Sequence, residues 1–337
     1  MAGLTLGGGF GWLSRKLGLT VDNLTGVDLV TADGRALHAD AGENPDLFWA
    51  VRGGGGNFGV VTRFHYRLHE VGPEVLAGVI VYPLEAAEAV LNQYRDFVKT
   101  APDELSAWIV LRKAPPLPFL DASVHGRNVV IVALCHAGNP EQGQSLVEPL
   151  LHLAEPYGVH VGPVPYTAWQ QAFDALLTPG ARNYWKSHNL GRLDDGLRAT
   201  LVEYGGRLPG DQCELFLAHL GGAVNRVPAD ATAYPHRDVE FVVNVHARWE
   251  AAEDDGRCAD WARAFFRDTA SYALGNTYVN FMTVDEAGRG PPPLQGARKA
   301  GEAMGWAAVP LERLAARRGR PQRKKPKRLS RLGFLMW

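Results

Sequence analysis

The chain has 337 residues, 46% of them hydrophobic, with a mean hydropathy of −0.15 and a formal net charge of −1. This is a soluble, globular composition, long enough for two cored domains. No run of 18 apolar residues is present, so no transmembrane helix is expected. Met1-Ala2 leads straight into a glycine motif without a basic and apolar leader, which predicts no signal peptide and a cytoplasmic location.

Residues 1–68 carry two glycine clusters, Gly7-Gly8-Gly9 with Gly11, and Gly53 to Gly56 with Gly59. Glycine runs let backbone approach backbone, or a ligand, with no Cβ in the way. Two runs within sixty residues suggest one ligand pressed against bare main chain. Gly54 to Gly59 matches GxGxxG, yet a dinucleotide fingerprint needs a strand before the glycines and a helix after them. Here residues 46–52 read as a helical turn before the glycines, and residues 60–68 alternate as a strand after them. That order is the reverse of what a pyrophosphate at a helix N-terminus requires. No GxxxxGK[ST] occurs, so no P-loop is expected either.

From Glu74 the pattern changes. Residues 75–82, 105–111, 129–135, 214–220 and 240–249 read as strands. Residues 84–99, 140–153, 193–206 and 258–273 read as helices, the first with Ala87, Val90, Leu91, Tyr94 and Val98 on one side. This predicts an α+β fold, an antiparallel sheet with helices on one face. In the last strand Glu240, Val242, Asn244, His246 and Arg248 share one face, and Phe241, Val243, Val245, Ala247 and Trp249 the other. A polar row on a sheet is the right geometry for groups aimed at a substrate; the plain alternative is a solvated strand face. Cys135, Cys213 and Cys258 lie far apart with no CxxC, which predicts buried reduced thiols and no metal site.

Residues 313–337 hold ten Lys/Arg and no Asp or Glu, a change of composition that marks a boundary. So basic a stretch cannot bury enough apolar surface to offset its ordering entropy, and disorder is expected from about residue 290. It lacks aromatic interleaving before Phe334, so no nucleic-acid partner is expected.

Gly3-Leu-Thr-Leu-Gly-Gly-Gly-Phe-Gly-Trp and Asp46-Leu-Phe-Trp-Ala-Val-Arg-Gly-Gly-Gly-Gly-Asn-Phe-Gly-Val-Val-Thr closely resemble the berberine-bridge-enzyme-like FAD-linked oxidases. These belong to the PCMH-type, or vanillyl-alcohol-oxidase, superfamily, and the resemblance covers residues 3–288. It implies the C-terminal half of a PCMH-type FAD-binding domain at 1–72 and a substrate domain at 73–272 whose sheet roofs the flavin. A return segment at 273–288 and a divergent basic tail at 289–337 would follow. The chain would begin in mid-domain, without the family's covalent flavin-linking His.

The resemblance also implies chemistry. FAD would be held by Gly7, Gly8, Gly9, Asn23, Gly59, Val60 and Asn280. An alcohol-bearing small molecule would give a hydride to flavin N5, with O2 as the final acceptor. Tyr278 would be the base, although a phenol near pKa 10 serves only if its surroundings lower it. Asn244 would orient the substrate, since an amide is no base near neutrality, and His246 and Arg248 would face the substrate. Two positions depart from the family's pattern: Phe281 replaces the second Tyr of Tyr-x-Asn-Tyr, and Phe10 stands where many members have Tyr. The alternative is a truncated or frame-shifted, non-catalytic remnant, because the resemblance stops near Asp285 as composition turns to Arg, Pro, Gly and Ala.

Overall fold

Two antiparallel sheets organise residues 1–286, the part of the chain described by this computed structural model. The expected basic tail lies outside the described residues. Strands β1 (Leu24–Val30), β2 (Ala36–Asp40) and β3 (Val60–Tyr66) make a small sheet in the order β2-β1-β3. Strands β4 (Glu74–Pro83), β5 (Leu105–Lys113), β6 (Asn128–His136), β7 (Gly158–Pro165), β8 (Arg182–Leu190), β9 (Glu214–His219) and β10 (Phe241–Trp249) make the large one. Its order is β7-β4-β6-β5-β9-β10-β8, and every neighbouring pair is antiparallel. The α+β arrangement expected from the sequence is the one found.

The central strands are apolar on both faces because both faces are covered. On one side lie α4 (Ala87–Val98), α5 (Pro140–Leu151), α7 (Asp195–Gly206) and α9 (Asp255–Asp268). Helix α4 turns Val90, Leu91, Tyr94 and Val98 inward, and the Tyr94 hydroxyl donates to the Ala107 carbonyl at 2.6 Å. Helix α5 starts where Asn139 Oδ1 accepts from the Glu141 and Gln142 amides, with Pro140 in the first turn, where its missing N–H costs nothing. Helix α9 stops where Thr269 Oγ1 donates back to the Phe265 carbonyl, four residues before the predicted end.

The opposite face carries a second core, in which Trp12 stacks on Trp108 with ring centroids 3.7 Å apart. The segment that brings Trp12 there holds the short helices α1 (Ala2–Leu6) and α2 (Ser14–Leu17). Buried Arg15 fastens it, donating to the carbonyls of Leu105 (2.9 Å), Ala101 (3.0 Å) and Leu220. A second tie joins Asp22, just before β1, to the loop that precedes β10. Arg237 Nη1 and Nη2 donate to the two Asp22 oxygens at 2.8 and 2.7 Å, with both side chains buried. The short helices α3 (Pro45–Val51), α6 (Tyr166–Trp169) and α8 (Ala223–Arg226) complete the described elements of α type.

Three local features differ from expectation, each for a physical reason. Strand β7 was not anticipated because it contains Gly162, Pro163 and Pro165; prolines are tolerated there because β7 is an edge strand. Strand β8 is the other edge, and its polar run Lys186-Ser-His-Asn hid it, although all four side chains are buried. In β3 the alternation resets: Asp28 faces Arg63 but Leu29 faces Val61, so a bulge skips Thr62. Val61, Phe64 and Tyr66 pack inward as a result, and Val60 is left 71% exposed.

Two measurements test these ties. Removing one partner of a buried ion pair strands the other charge, so Arg237→Leu is expected to cost about 3–5 kcal/mol in chemical denaturation. A loss below about 1 kcal/mol, the scale of a surface pair, would contradict the clamp. On the small sheet, His38 lies between Asp28 Oδ1 (2.7 Å) and Asp40 Oδ2 (3.3 Å), and the Asp28 hydrogen bond raises its pKa. The stability it contributes is full below the unfolded-state value, about 6.5, and is lost as pH rises through the raised folded value. An NMR titration of His38 should therefore show a midpoint above the ordinary value; one at or below it would contradict the bridge.

Candidate active site

Strand β10 is buried along its whole length, so its polar row is not a solvated face. Phe241, Val243, Val245, Ala247 and Trp249 enter the core under the helices. Val242, on the other face, packs with Leu19, Tyr234, Tyr278 and Phe281. Asn244 follows two residues on, and His246 and Arg248 continue the row into a cavity of about 290 Å³. One strand face thus joins the Tyr278 cluster to the cavity, with Asn244 between them.

Tyr278 is 1% exposed and stands among the rings of Phe10 (5.0 Å), Phe281 (5.1 Å) and Tyr234 (6.4 Å). Its oxygen accepts from the Gly9 amide at 3.0 Å and from Asn280 Nδ2 at 2.8 Å. Burial raises its pKa against those hydrogen bonds, and it does not line the cavity. As folded here, the phenol anchors the returning segment through these two hydrogen bonds. Asn280 works beside it, donating also to the Leu4 carbonyl at 3.1 Å.

The glycines at 7–9 are required by the chain's own packing. A Cβ at Gly7 would collide with the Asn280 amide, one at Gly8 would come within 2.8 Å of the Tyr234 ring, and one at Gly9 would strike Thr20. At these three positions the chain's own side chains fill the space that a Cβ would need. Gly59, at φ +148, allows β3 to approach the Val30 carbonyl. Asn23 spends its amide locally, with Nδ2 donating to Leu17 and Leu19 carbonyls at 3.0 Å each and Oδ1 meeting His69. Val60 is exposed.

The cavity's walls include Trp169, Phe173, Phe119 and Ile131, and its polar end holds Arg112, Gln212, Glu214, His246 and Arg248. Arg112 Nη1 donates to Glu214 Oε2 at 2.9 Å, and Glu214 Oε1 lies 3.6 Å from His246 Nδ1. Burial alone would push the Glu214 carboxyl up; Arg112, then His246 and Arg248, outweigh it and hold it below its ordinary value. Asn183 Nδ2 is committed to the Ala181 carbonyl, which turns its Oδ1 toward His246 Nε2 at 3.1 Å. His246 Nε2 therefore carries a hydrogen, and Nδ1 faces Glu214. Arg112 and Glu214 escaped the sequence reading; the available signal was a charge on each of two otherwise apolar strands, but only the register of β5 on β9 pairs them.

Some buried polar atoms on this face have no partner among the described residues. Both amide atoms of Asn244, which is 0% exposed, are unpaired, as is Ser187 Oγ, directly opposite it on β8. Tyr234 Oη, in the Tyr278 cluster, is a third. Unpaired buried polar atoms are costly. A planar group with hydrogen-bonding edges, such as the flavin the resemblance implies, fits these orphaned donors and acceptors. Elsewhere, Asp28, His38 and His65 bring metal-ligand types within 4.8 Å of one another. Their facing atoms are engaged with one another in hydrogen bonds, with Arg63 beside Asp28 at 3.6 Å. Cys135, Cys213 and Cys258 are buried free thiols, and burial pushes the first two up to about 12. No helix among the described residues is long and apolar enough to cross a membrane.

No protein-family profile matches the chain. An FAD-linked oxidoreductase of Dictyostelium discoideum is 30% identical over 283 residues, 82% of this chain and 59% of that protein. The uncharacterised FAD-linked oxidoreductase YvdP of Bacillus subtilis is 28% identical over 303 residues, 83% of this chain and 61% of that protein. The chain thus spans about three-fifths of the length of these curated relatives. Among solved structures, the BBE-like 1 protein of Physcomitrella patens superimposes with a TM-score of 0.76 at 22% identity, covering 89% of this chain and 67% of that one. BBE-like #28 of Arabidopsis thaliana does so with a TM-score of 0.71 at 21% identity, covering 94% and 67%. Over the stretch it shares with these proteins, the chain is similar in sequence to FAD-linked oxidoreductases and has the fold of the berberine-bridge-like, or BBE-like, proteins.

Proposed function

We propose that the chain carries the substrate site of an FAD-dependent oxidase that acts on an alcohol-bearing small molecule. The observation that carries this reading is the single face of β10, where orphaned Asn244 precedes His246 and the cavity that His246 and Glu214 line. Bound FAD would supply the hydride acceptor for the alcohol carbon, with O2 as the final electron acceptor. In this reading Asn244, Ser187 and Tyr234 hold the flavin ring through the polar atoms that the chain itself leaves unpaired. Tyr278 and Asn280 fix the return segment behind it through Gly9 and Leu4.

The proton of the alcohol goes to the His246–Glu214 couple. Glu214, kept ionised by Arg112, stabilises the charge that His246 gains, and Asn183 fixes the ring through Nε2. The apolar walls exclude water, so these charges act in a medium where they are worth more than in solvent. Arg248 faces the substrate from the far end of the row.

Titration of the purified chain with FAD, read by quenching of flavin fluorescence and retention of colour through gel filtration, tests the reading. Saturable binding weakened by Asn244→Leu is expected; a folded chain that stays colourless supports the non-catalytic remnant instead. In the reconstituted enzyme His246→Gln should lower kcat by roughly 10²–10⁴-fold, the usual share of a general base. Tyr278→Phe should cost stability and change turnover far less. Equal losses for both variants would contradict the assignment of roles.

A further inference from the structure

The cavity has an uneven charge. Its wall contains two guanidinium groups, Arg112 and Arg248, and a single carboxylate, Glu214. All three are buried, at 9%, 6% and 4% exposure. Glu214 is committed to Arg112 at 2.9 Å and turns its other oxygen to His246. Arg248 has only neutral hydrogen-bond partners: Gln212 Oε1 at 2.7 Å, and the carbonyl and hydroxyl of Thr178. No carboxylate forms an ion pair with it among the described residues. A buried charge with no carboxylate in contact is costly to a fold, and burial depresses the Arg248 pKa, with the more distant Glu250 and Glu214 opposing.

The remaining surface is aromatic and aliphatic, with Trp169, Phe173, Phe119, Leu117 and Leu176 around it. At about 290 Å³ the space is at the small end of ligand pockets and suits one or two rings rather than an oligosaccharide. We infer that the cavity selects a small aromatic ligand bearing an anionic group, a carboxylate or its equivalent, which completes the charge of Arg248 while the rings lie against Trp169 and Phe173. With Nε and Nη2 held by Gln212 and Thr178, Nη1 is the nitrogen left to donate a charge-assisted hydrogen bond to the anion. Arg248 is then the specificity-determining residue of the site. Gln212 and Thr178, which hold its Nε and Nη2, position it. The inference rests on the reading that this cavity receives the substrate, but its charge selectivity stands apart from the flavin.

The test is therefore a binding measurement without flavin, using the full chain, 2-naphthoate and its neutral counterpart 2-naphthamide. Binding is read by calorimetry and by quenching of tryptophan fluorescence, since Trp169 lines the cavity. The expected result is naphthoate binding roughly tenfold or more tighter than the amide, the range of a charge-assisted hydrogen bond. Arg248→Met should bring the two probes level by weakening only the acid, and Arg248→Lys should restore part of the preference. Equal affinity of the two probes for the unaltered chain, or binding of neither, overturns the inference whether or not the variants fold. A preference that survives in folded Arg248→Met also overturns it. Absence of flavin binding, measured separately, would sink the oxidase reading and leave the charge preference intact.

Discussion

A strand buried on both faces cannot leave its polar side chains to water, and β10 is buried from Phe241 to Trp249. Its apolar set goes under the helical layer, where the 3.6-residue stripe of α9 covers it. Its other set, Val242, Asn244, His246 and Arg248, must find partners among protein groups or a ligand. His246 and Arg248 find Asn183, Glu214, Gln212 and Thr178; Asn244 finds none. The site follows from that asymmetry. Everything on this face is arranged either to satisfy polar groups or to leave a defined few of them waiting.

The first residues of the chain are held against the same side of the large sheet, where Trp12 enters the core and Leu19 and Val21 pack with Tyr278. Trp12 supplies the apolar contact and Arg15 the hydrogen bonds. The Asp22–Arg237 pair joins the base of the small sheet to the loop that feeds β10. Tyr278 and Asn280 then return from the far end of the described chain to bond Gly9 and Leu4. Segments more than two hundred residues apart thus meet at one edge of β10. The glycine row at 7–9 is explained by this crowding, since Asn280, Tyr234 and Thr20 occupy the space that side chains there would need.

Much of this was legible in the sequence, and the limits are physical. The order of helix, glycines and strand in residues 45–66 was read from periodicity and excluded a dinucleotide fold. The two faces of β10 followed from strict alternation. Strands β7 and β8 were missed because edge strands tolerate the prolines and polar residues that argue against a central strand. Val60 was misplaced because a bulge breaks alternation without a sequence mark. What the Tyr278 oxygen bonds to was not legible, because neighbours from positions 9 and 280 decide it. The Arg112–Glu214 pair exists only through strand register.

The central claim is that the orphaned polar atoms beside the cavity are completed by the ring of a flavin. A crystal structure of the protein with FAD tests it most directly. The account predicts the edge of the isoalloxazine within hydrogen-bond distance of Asn244 and Ser187, on the face of β10 that continues to His246. Flavin bound elsewhere, or Asn244 and Ser187 satisfied by the chain's own groups while flavin is bound, would contradict it.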